Sequence, residues 1–398
     1  MTADGAQPSP VDGPVVAVVG GGQLARMLHQ AAIALAVPLR LLAEQPDASA
    51  AQVLRDPLVG DHRDLQRLRD VARGSAVLTF DHEHVPTEHL RTLVAEGVVC
   101  RPGPDALVHA QDKAVMRQRL TATGVPVPRW RLVGTVVELA DFAHSVGGGP
   151  VMVKTVRGGY DGKGVRAIDA SVEATADLFA AGPLLAEELV DFRRELAALV
   201  VRSPSGQAAS YPVVASVQRG GVCREVVAPA PALDPDLAVQ AQRIALDVAR
   251  DLDVTGVLAV ELFETRDGRV LVNELAMRPH NTGHWTIDGA VTSQFENHLR
   301  AVLDLPLGST RARAPWTVMV NILGGDPDGS GARLYDGYRH VFAHDPGVRV
   351  HLYGKQVRQG RKVGHVTVCG DDLDAVRERA RYAAAHFTGT ASTGTVSP

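Results

Sequence analysis

Val151-Met152-Val153-Lys154-Thr155-Val156-Arg157-Gly158-Gly159-Tyr160-Asp161-Gly162-Lys163-Gly164-Val165 is the stretch on which the reading of this chain turns. An apolar run ends in a lysine and gives way to a glycine-rich segment with two further cations, which predicts a strand over 151–154 and a hairpin after it. Gly158, Gly159, Gly162 and Gly164 let backbone N–H groups approach an anion, while Lys154, Arg157 and Lys163 offset its charge. A bare turn needs neither. The combination points to a loop that folds over a triphosphate.

Downstream, Leu184-Leu185-Ala186-Glu187-Glu188-Leu189-Val190 predicts a strand whose two adjacent acids cannot both face a core, so at least one faces a cleft or water. Such an edge suits a nucleotide, with backbone groups on the adenine and a carboxylate on ribose hydroxyls. Residues 256–263 and 270–275 read as neighbouring strands joined around Arg266-Asp267-Gly268. Glu261 and Glu274 sit there in apolar surroundings, where an unpaired carboxylate is costly. With Asn273 they offer the hard oxygen ligands that magnesium takes while bridging ATP phosphates. Arg278-Pro279-His280-Asn281-Thr282-Gly283-His284 follows, and Pro279 and Gly283 disfavour a helical zinc site at the two histidines. A turn presenting Arg278, His280 and Asn281 as donors to a small oxyanion fits better. Lys355 and the run Arg358-Gln359-Gly360-Arg361-Lys362 form a cationic cluster suited to a second phosphate.

Upstream, Val15-Val16-Ala17-Val18-Val19 predicts a buried strand, Gly20-Gly21-Gly22 a tight turn, and residues 24–36 an apolar helix. Gly20-x-Gly22-x-x-Ala25, with Glu44 closing the next strand, matches the dinucleotide fingerprint. Its physical content is narrower: amides at a helix start that any phosphate satisfies, a nicotinamide not being required. Strands at 39–43 and 76–79, with a helix at 64–72 between them, imply a parallel sheet. Thr79-Phe80-Asp81-His82-Glu83-His84-Val85-Pro86 then lies at a carboxyl strand end, where ligands bind in such sheets. Glu83 is the substrate-contact candidate. A metal on His82 and His84 is disfavoured because the loop itself supplies no third ligand.

The 398 residues carry 41 Lys+Arg against 45 Asp+Glu, a formal net charge of −4, which gives no general attraction to nucleic acid or an acidic membrane. No apolar run reaches the ~18 residues of a spanning helix, and residues 1–13 lack the pattern of a secretory signal. Cys100, Cys223 and Cys369 make neither a disulfide framework nor a zinc cluster and suit a reducing cytoplasm. Residues 1–13 and 388–398 are read as flexible termini.

Together the motifs resemble the ATP-grasp superfamily and, within it, the 5-(carboxyamino)imidazole ribonucleotide synthase family, biotin-independent carboxylases of purine biosynthesis. The resemblance spans residues 15–368. It rests on the segments 20–26, 158–164, Asn273-Glu274-Leu275-Ala276-Met277-Arg278-Pro279-His280-Asn281-Thr282-Gly283-His284, and Thr292-Ser293-Gln294-Phe295-Glu296-Asn297-His298. It implies an α/β and α+β protein of ATP-grasp architecture: an N-terminal Rossmann-like parallel-sheet domain at 14–107 for the substrate phosphate, an ATP-grasp domain at 108–308, and a small C-terminal domain at 313–387.

Residue by residue, the resemblance implies ATP contacts at Lys113, Lys154, Gly159, Tyr160, Asp161, Gly162, Lys163, Gly164, Val165, Glu187, Glu188, Leu189, Val190, Glu195, Gln218, Asn273 and Glu274. Lys113 stands where relatives often have Arg, Gln218 where many have His, and Ala276-Met277 where Ala-Pro is usual. Glu261 and Glu274 match ligands of Mg2+, with Mn2+ as the alternative. Tyr160, Asp161, Lys163, Arg278, His280 and Asn281 match positions near the carboxyl-transfer centre. Gly22, Gln23, Leu24, Glu83, Lys355 and either Arg361 or Lys362 match the ribonucleotide site. The implied reaction is ATP-dependent activation of bicarbonate to carboxyphosphate and carboxylation of aminoimidazole ribonucleotide, releasing ADP and phosphate, in a cytoplasmic homodimer with no nucleic-acid or membrane partner. The alternatives are another ATP-grasp enzyme, such as formate-dependent glycinamide ribonucleotide transformylase or a biotin carboxylase, and, from a different class, a nicotinamide-binding dehydrogenase.

Overall fold

The computed structural model describes residues 13–159, 164–169, 176–325 and 334–388. Tyr160, Asp161, Gly162 and Lys163 lie outside the described residues, as do residues 1–12 and 389–398 of the expected flexible termini. The chain divides into two compact units at Arg101/Pro102.

In the first unit, β1 (Val16–Val19), β2 (Leu39–Ala43), β3 (Leu58–Val59) and β4 (Val77–Phe80) form a parallel sheet in the order β3-β2-β1-β4. Every residue of β1 is fully buried, which explains why its valines run without alternation. Gly20 has φ +106, a conformation few side-chain-bearing residues adopt, and it turns the chain from β1 into the helix Gln23–Ala34. A further helix, Thr87–Ala95, follows the 81–86 loop and buries Thr87, Leu90 and Leu93.

Among the described residues, the second unit holds two sheets. The smaller comprises β5 (Trp130–Val133), β6 (Val151–Thr155), β7 (Val165–Ile168) and β8 (Leu184–Glu188), antiparallel in the order β5-β8-β6-β7. The larger comprises β9 (Phe192–Arg202), β10 (Ala208–Ser210), β11 (Val214–Arg219), β12 (Val222–Ala228), β13 (Gly256–Thr265), β14 (Val270–Ala276), β15 (Trp316–Leu323), β16 (Arg349–Leu352) and β17 (Lys362–Gly370). Its order is β14-β13-β9-β11-β12-β15-β17-β16, with β10 on β9. The strands of the third sequence block, the expected C-terminal domain at 313–387, therefore extend the sheet of the second block, the expected ATP-grasp domain at 108–308, through β12 pairing β15.

Helix Pro235–Asp251 packs Ala241, Ile244, Ala245 and Val248 inward at helical spacing, and Leu237 is half-buried at its start. Asp234 accepts a hydrogen bond from the Asp236 amide and caps it. A second core joins Val227, Val318, Ile322, Val366 and Ala380, and burial of each large aliphatic chain there contributes about 1.5–3 kcal/mol.

Candidate active site

The β6–β7 hairpin is in register Lys154↔Val165, and the Thr155 amide donates to the Gly164 carbonyl at 2.9 Å. Gly158, Gly159 and Gly164 all have positive φ, near +72 to +82. Lys154 points inward, 8% exposed, and its Nζ lies 2.7 Å from Glu187 Oε2 and donates to Asn273 Oδ1 at 2.9 Å. Glu187 is equally deep. Burial would raise its pKa, but Arg117 and Lys154 outweigh that and hold it below the ordinary carboxylate range.

Arg117 is the residue sequence reasoning missed. It is fully buried on helix Lys113–Ala122, with Nε 2.6 Å from Glu187 Oε1 and Nη2 donating to the Asn273 carbonyl at 2.7 Å. The available signal was an arginine one turn past Lys113, on a helix that must bury a face. Lys113 itself ties three parts together: its amide donates to Val156 O, while its Nζ donates to Gly158 O at 3.2 Å and lies 3.5 Å from Glu274 Oε1. Glu188 faces elsewhere, paired with Arg129 at 2.8 Å, while Leu189 and Val190 lie beyond the strand end, Leu189 exposed.

Glu261 and Glu274 stand directly opposite each other across β13 and β14. The register shifts there: Leu262 pairs with Val272, so Asn273 is an extra residue on β14. Strict alternation would turn Asn273 and Glu274 to opposite faces. The bulge re-aims them, and both reach the Lys154–Lys113 side. Glu195 on β9 pairs with Phe263, two residues along β13 from Glu261, and lines a small cleft with Glu261, Ser216, Gln218, Asn273 and Thr282. The Glu261 carboxyl is pushed up to about 8 by burial and by the like charges of Glu274 and Glu195; burial pushes Glu195 to about 7. Crowded acids with raised pKa values and an amide oxygen beside them form a hard-oxygen donor set that fits a divalent cation.

His280 opens a short turn next to this cleft. Its Nδ1 accepts from the Thr282 amide at 3.4 Å and lies 2.9 Å from Thr282 Oγ1, which leaves the proton on Nε2, 3.5 Å from Glu261 Oε1. Burial, then Arg278 and Lys362, drive its pKa well down, so the ring is neutral. Gln294, fully buried at the start of helix Gln294–Val302, accepts from the His280 amide at 2.8 Å and donates to the His280 carbonyl at 2.7 Å, clamping that backbone from both sides. The Asn281 amide forms a reciprocal pair with Asn321, at 3.0 and 2.8 Å, which braces the turn and uses one of its two N–H donors. Of the third-block cations, Lys362 acts electrostatically on Glu261 and His280, Lys355 lies 5.6 Å over the Tyr353 ring, and Arg361 is exposed with Nη1 on Gln356 O.

In the first unit the glycine turn departs from a simple phosphate loop. The Gly22 amide donates to Asp81 Oδ2 at 2.6 Å and the Gly21 amide to Glu44 Oε2 at 3.4 Å, so the chain's own carboxylates occupy the anion position. Glu44, the fingerprint acid, also pairs with His82 at 3.2 Å, which removes it from the ribose role a nicotinamide reading gives it. Gln23 and Glu83 are half-buried, and Leu24 packs inward.

Three families match in succession: the ribonucleotide synthetase preATP-grasp domain at residues 14–111, the ATP-grasp domain at 118–295, and the phosphoribosylaminoimidazole carboxylase C-terminal domain at 317–379. The chain is 58% identical over 378 residues to the N5-carboxyaminoimidazole ribonucleotide synthase of Mycobacterium tuberculosis (strain ATCC 25618 / H37Rv), covering 93% of this chain and 87% of the relative. The chain belongs to the N5-carboxyaminoimidazole ribonucleotide synthase family. The synthase of Corynebacterium ammoniagenes is 51% identical over 379 residues, covering 93% of this chain and 91% of that one. The N5-carboxyaminoimidazole ribonucleotide synthetase structure from Thermus thermophilus superposes with a TM-score of 0.83 at 38% identity, covering 96% of this chain and all of the other. The Aspergillus clavatus N5-carboxyaminoimidazole synthase, solved with ADP and 5-aminoimidazole ribonucleotide, gives 0.85 at 30% identity over 94% and 99% of the two chains. The fold is that of an ATP-grasp synthetase.

Proposed function

We propose that this protein carboxylates 5-aminoimidazole ribonucleotide to 5-(carboxyamino)imidazole ribonucleotide, consuming ATP and bicarbonate. The observation that carries this reading is the convergence of Lys154, Asn273 and Glu274 from strands more than a hundred residues apart, beside Glu261. A bicarbonate oxygen attacks the γ-phosphorus and ADP leaves. The amine of the ribonucleotide then attacks the carbonyl carbon of carboxyphosphate, and phosphate leaves with its electron pair. Lys154 and Lys113 offset charge on the phosphates. Glu261 and Glu274, with Asn273, would hold Mg2+, or Mn2+ in its place, which neutralises charge developing on the transferred phosphoryl group. Arg117 fixes Glu187, whose strand end receives the nucleotide base.

Neutral His280, donating from Nε2, and Arg278 orient the bicarbonate-derived carboxylate; the resemblance implies that Tyr160, Asp161 and Lys163 act in the same step. Lys355 and either Arg361 or Lys362 grip the ribonucleotide phosphate. Gln23 and Glu83 supply the remaining substrate contacts. The resemblance implies a homodimer in the cytoplasm, and the three unpaired cysteines suit a reducing compartment. The test is isotopic: with 18O-labelled bicarbonate, one labelled oxygen appears in the released phosphate. Unlabelled phosphate alongside steady product formation overturns the mechanism.

A further inference from the structure

The carboxyl edge of the first unit's parallel sheet carries a cluster that the carboxylation chemistry leaves unused. Glu44 follows β2, His62 follows β3, and His82 and His84 follow β4, so loops after three different strands deliver metal-ligating side chains to one place. The sequence disfavours a metal on His82 and His84 because their loop supplies no third ligand nearby; the fold brings Glu44 and His62 beside His82 from other loops.

His82 Nε2 lies 3.2 Å from Glu44 Oε1, and His62 Nδ1 lies 3.9 Å from the same oxygen. One ligand atom from each of these three residues falls within 4.8 Å of the other two. The His62 and His82 rings are 4.6 Å apart, and the His84 ring stacks on His82 at 5.3 Å. Tetrahedral ligands at about 2.0–2.1 Å from zinc are separated by roughly 3.3 Å, so the observed spacing needs only a small contraction. A second observation is independent of spacing: His62 Nδ1 is buried and has no hydrogen-bond partner, a state that costs free energy until the atom is engaged.

We propose that Glu44, His62 and His82 form a binding site for a borderline divalent ion such as zinc, with His84 or water as the fourth ligand. Two imidazoles with one carboxylate select zinc, cobalt or nickel over magnesium, which separates this site chemically from the all-oxygen set around Glu261. In the metal-free protein the His84 amide donates to His82 Nδ1 at 3.1 Å, so the His82 proton sits on Nε2 and faces Glu44. Metal binding takes the Nε2 lone pair, shifts the neutral ring's proton to Nδ1 and gives up the His84 amide bond. That exchange loosens the 82–84 turn and lets His84 swing toward the ion.

The test uses the full chain, stripped with chelator and then titrated with Co2+ under saturating MgCl2, so that the carboxylate site is filled. One Co2+ per chain should bind with the intense visible absorption of a four-coordinate site, and Zn2+ should displace it and raise Tm. His62→Ala and Glu44→Gln should each weaken this binding at least about tenfold. The near-isosteric Glu44→Gln carries the test if His62→Ala does not fold. Another histidine cluster, where His340 stacks on His386 at 4.0 Å, provides the control: His340→Ala should leave the cobalt spectrum unchanged. Weak, six-coordinate cobalt absorption, or a four-coordinate spectrum that survives Glu44→Gln or is lost in His340→Ala, overturns the proposal. None of these readouts depends on enzymatic turnover.

Discussion

Glu261 and Glu195 hold their protons in the folded, metal-free protein up to about 8 and about 7, because burial, and for Glu261 its acidic neighbours, oppose ionisation. Unfolded glutamates release theirs near 4.3. Between those limits the folded chain binds more protons than the unfolded one, so the contribution of these groups falls as pH rises through the window and is fully lost above about 8. Magnesium takes the place of those protons. The Tm gain on adding Mg2+ should therefore grow from about pH 6 to about pH 8.5, and a gain independent of pH would contradict the assignment. Glu274→Gln removes a metal-ligand charge yet leaves a shape the strand accepts; turnover should fall by about 100-fold or more with Tm nearly unchanged. Glu187→Gln acts differently. It leaves Arg117 and Lys154 buried with their shared countercharge gone, and denaturant titration should show a loss of about 3–5 kcal/mol.

At the scale of elements, the site depends on two local irregularities. The β14 bulge puts two neighbouring side chains on one side, and the Gln294 clamp fixes the turn that carries His280. Gln294→Leu keeps volume and removes both clamp bonds. It should lower kcat at least about tenfold while KM for ATP stays within twofold of the parent, since ATP contacts lie on other strands; an unchanged kcat would show that the clamp is only structural. These irregularities also mark what the sequence could not tell. The hairpin at 151–168 and the Glu261–Glu274 pair were legible, because glycine, lysine and acid spacing carry their own geometry. Arg117 was not, since an arginine on a polar helix that also carries Arg119 looks solvated until its partners arrive from β8 and β14. The start of β9 was also hidden: Phe192-Arg193-Arg194-Glu195 is too polar to read as strand, because Glu195 faces the cleft.

For the molecule as a whole, the parallel sheet of the first unit was readable from alternating strand and helix patterns, while the union of the second and third blocks in one sheet was not. Pairing of β12 with β15 joins residues about ninety apart in sequence, and no local pattern specifies that choice. The glycine turn was readable as an anion site but not as one already filled by Asp81 and Glu44, which only the fold brings there. All the proposed ATP contacts belong to the second unit. A chain of residues 102–398, if it folds, should bind ATP with Mg2+ and yet form no carboxylated product; calorimetry and product analysis separate the two.

ADP release under steady state, measured with ATP, bicarbonate and aminoimidazole ribonucleotide together and with each withheld in turn, tests the central claim most directly. The account predicts rapid release only when all three are present. Equal release without bicarbonate, or release that requires formate and glycinamide ribonucleotide instead, would contradict it.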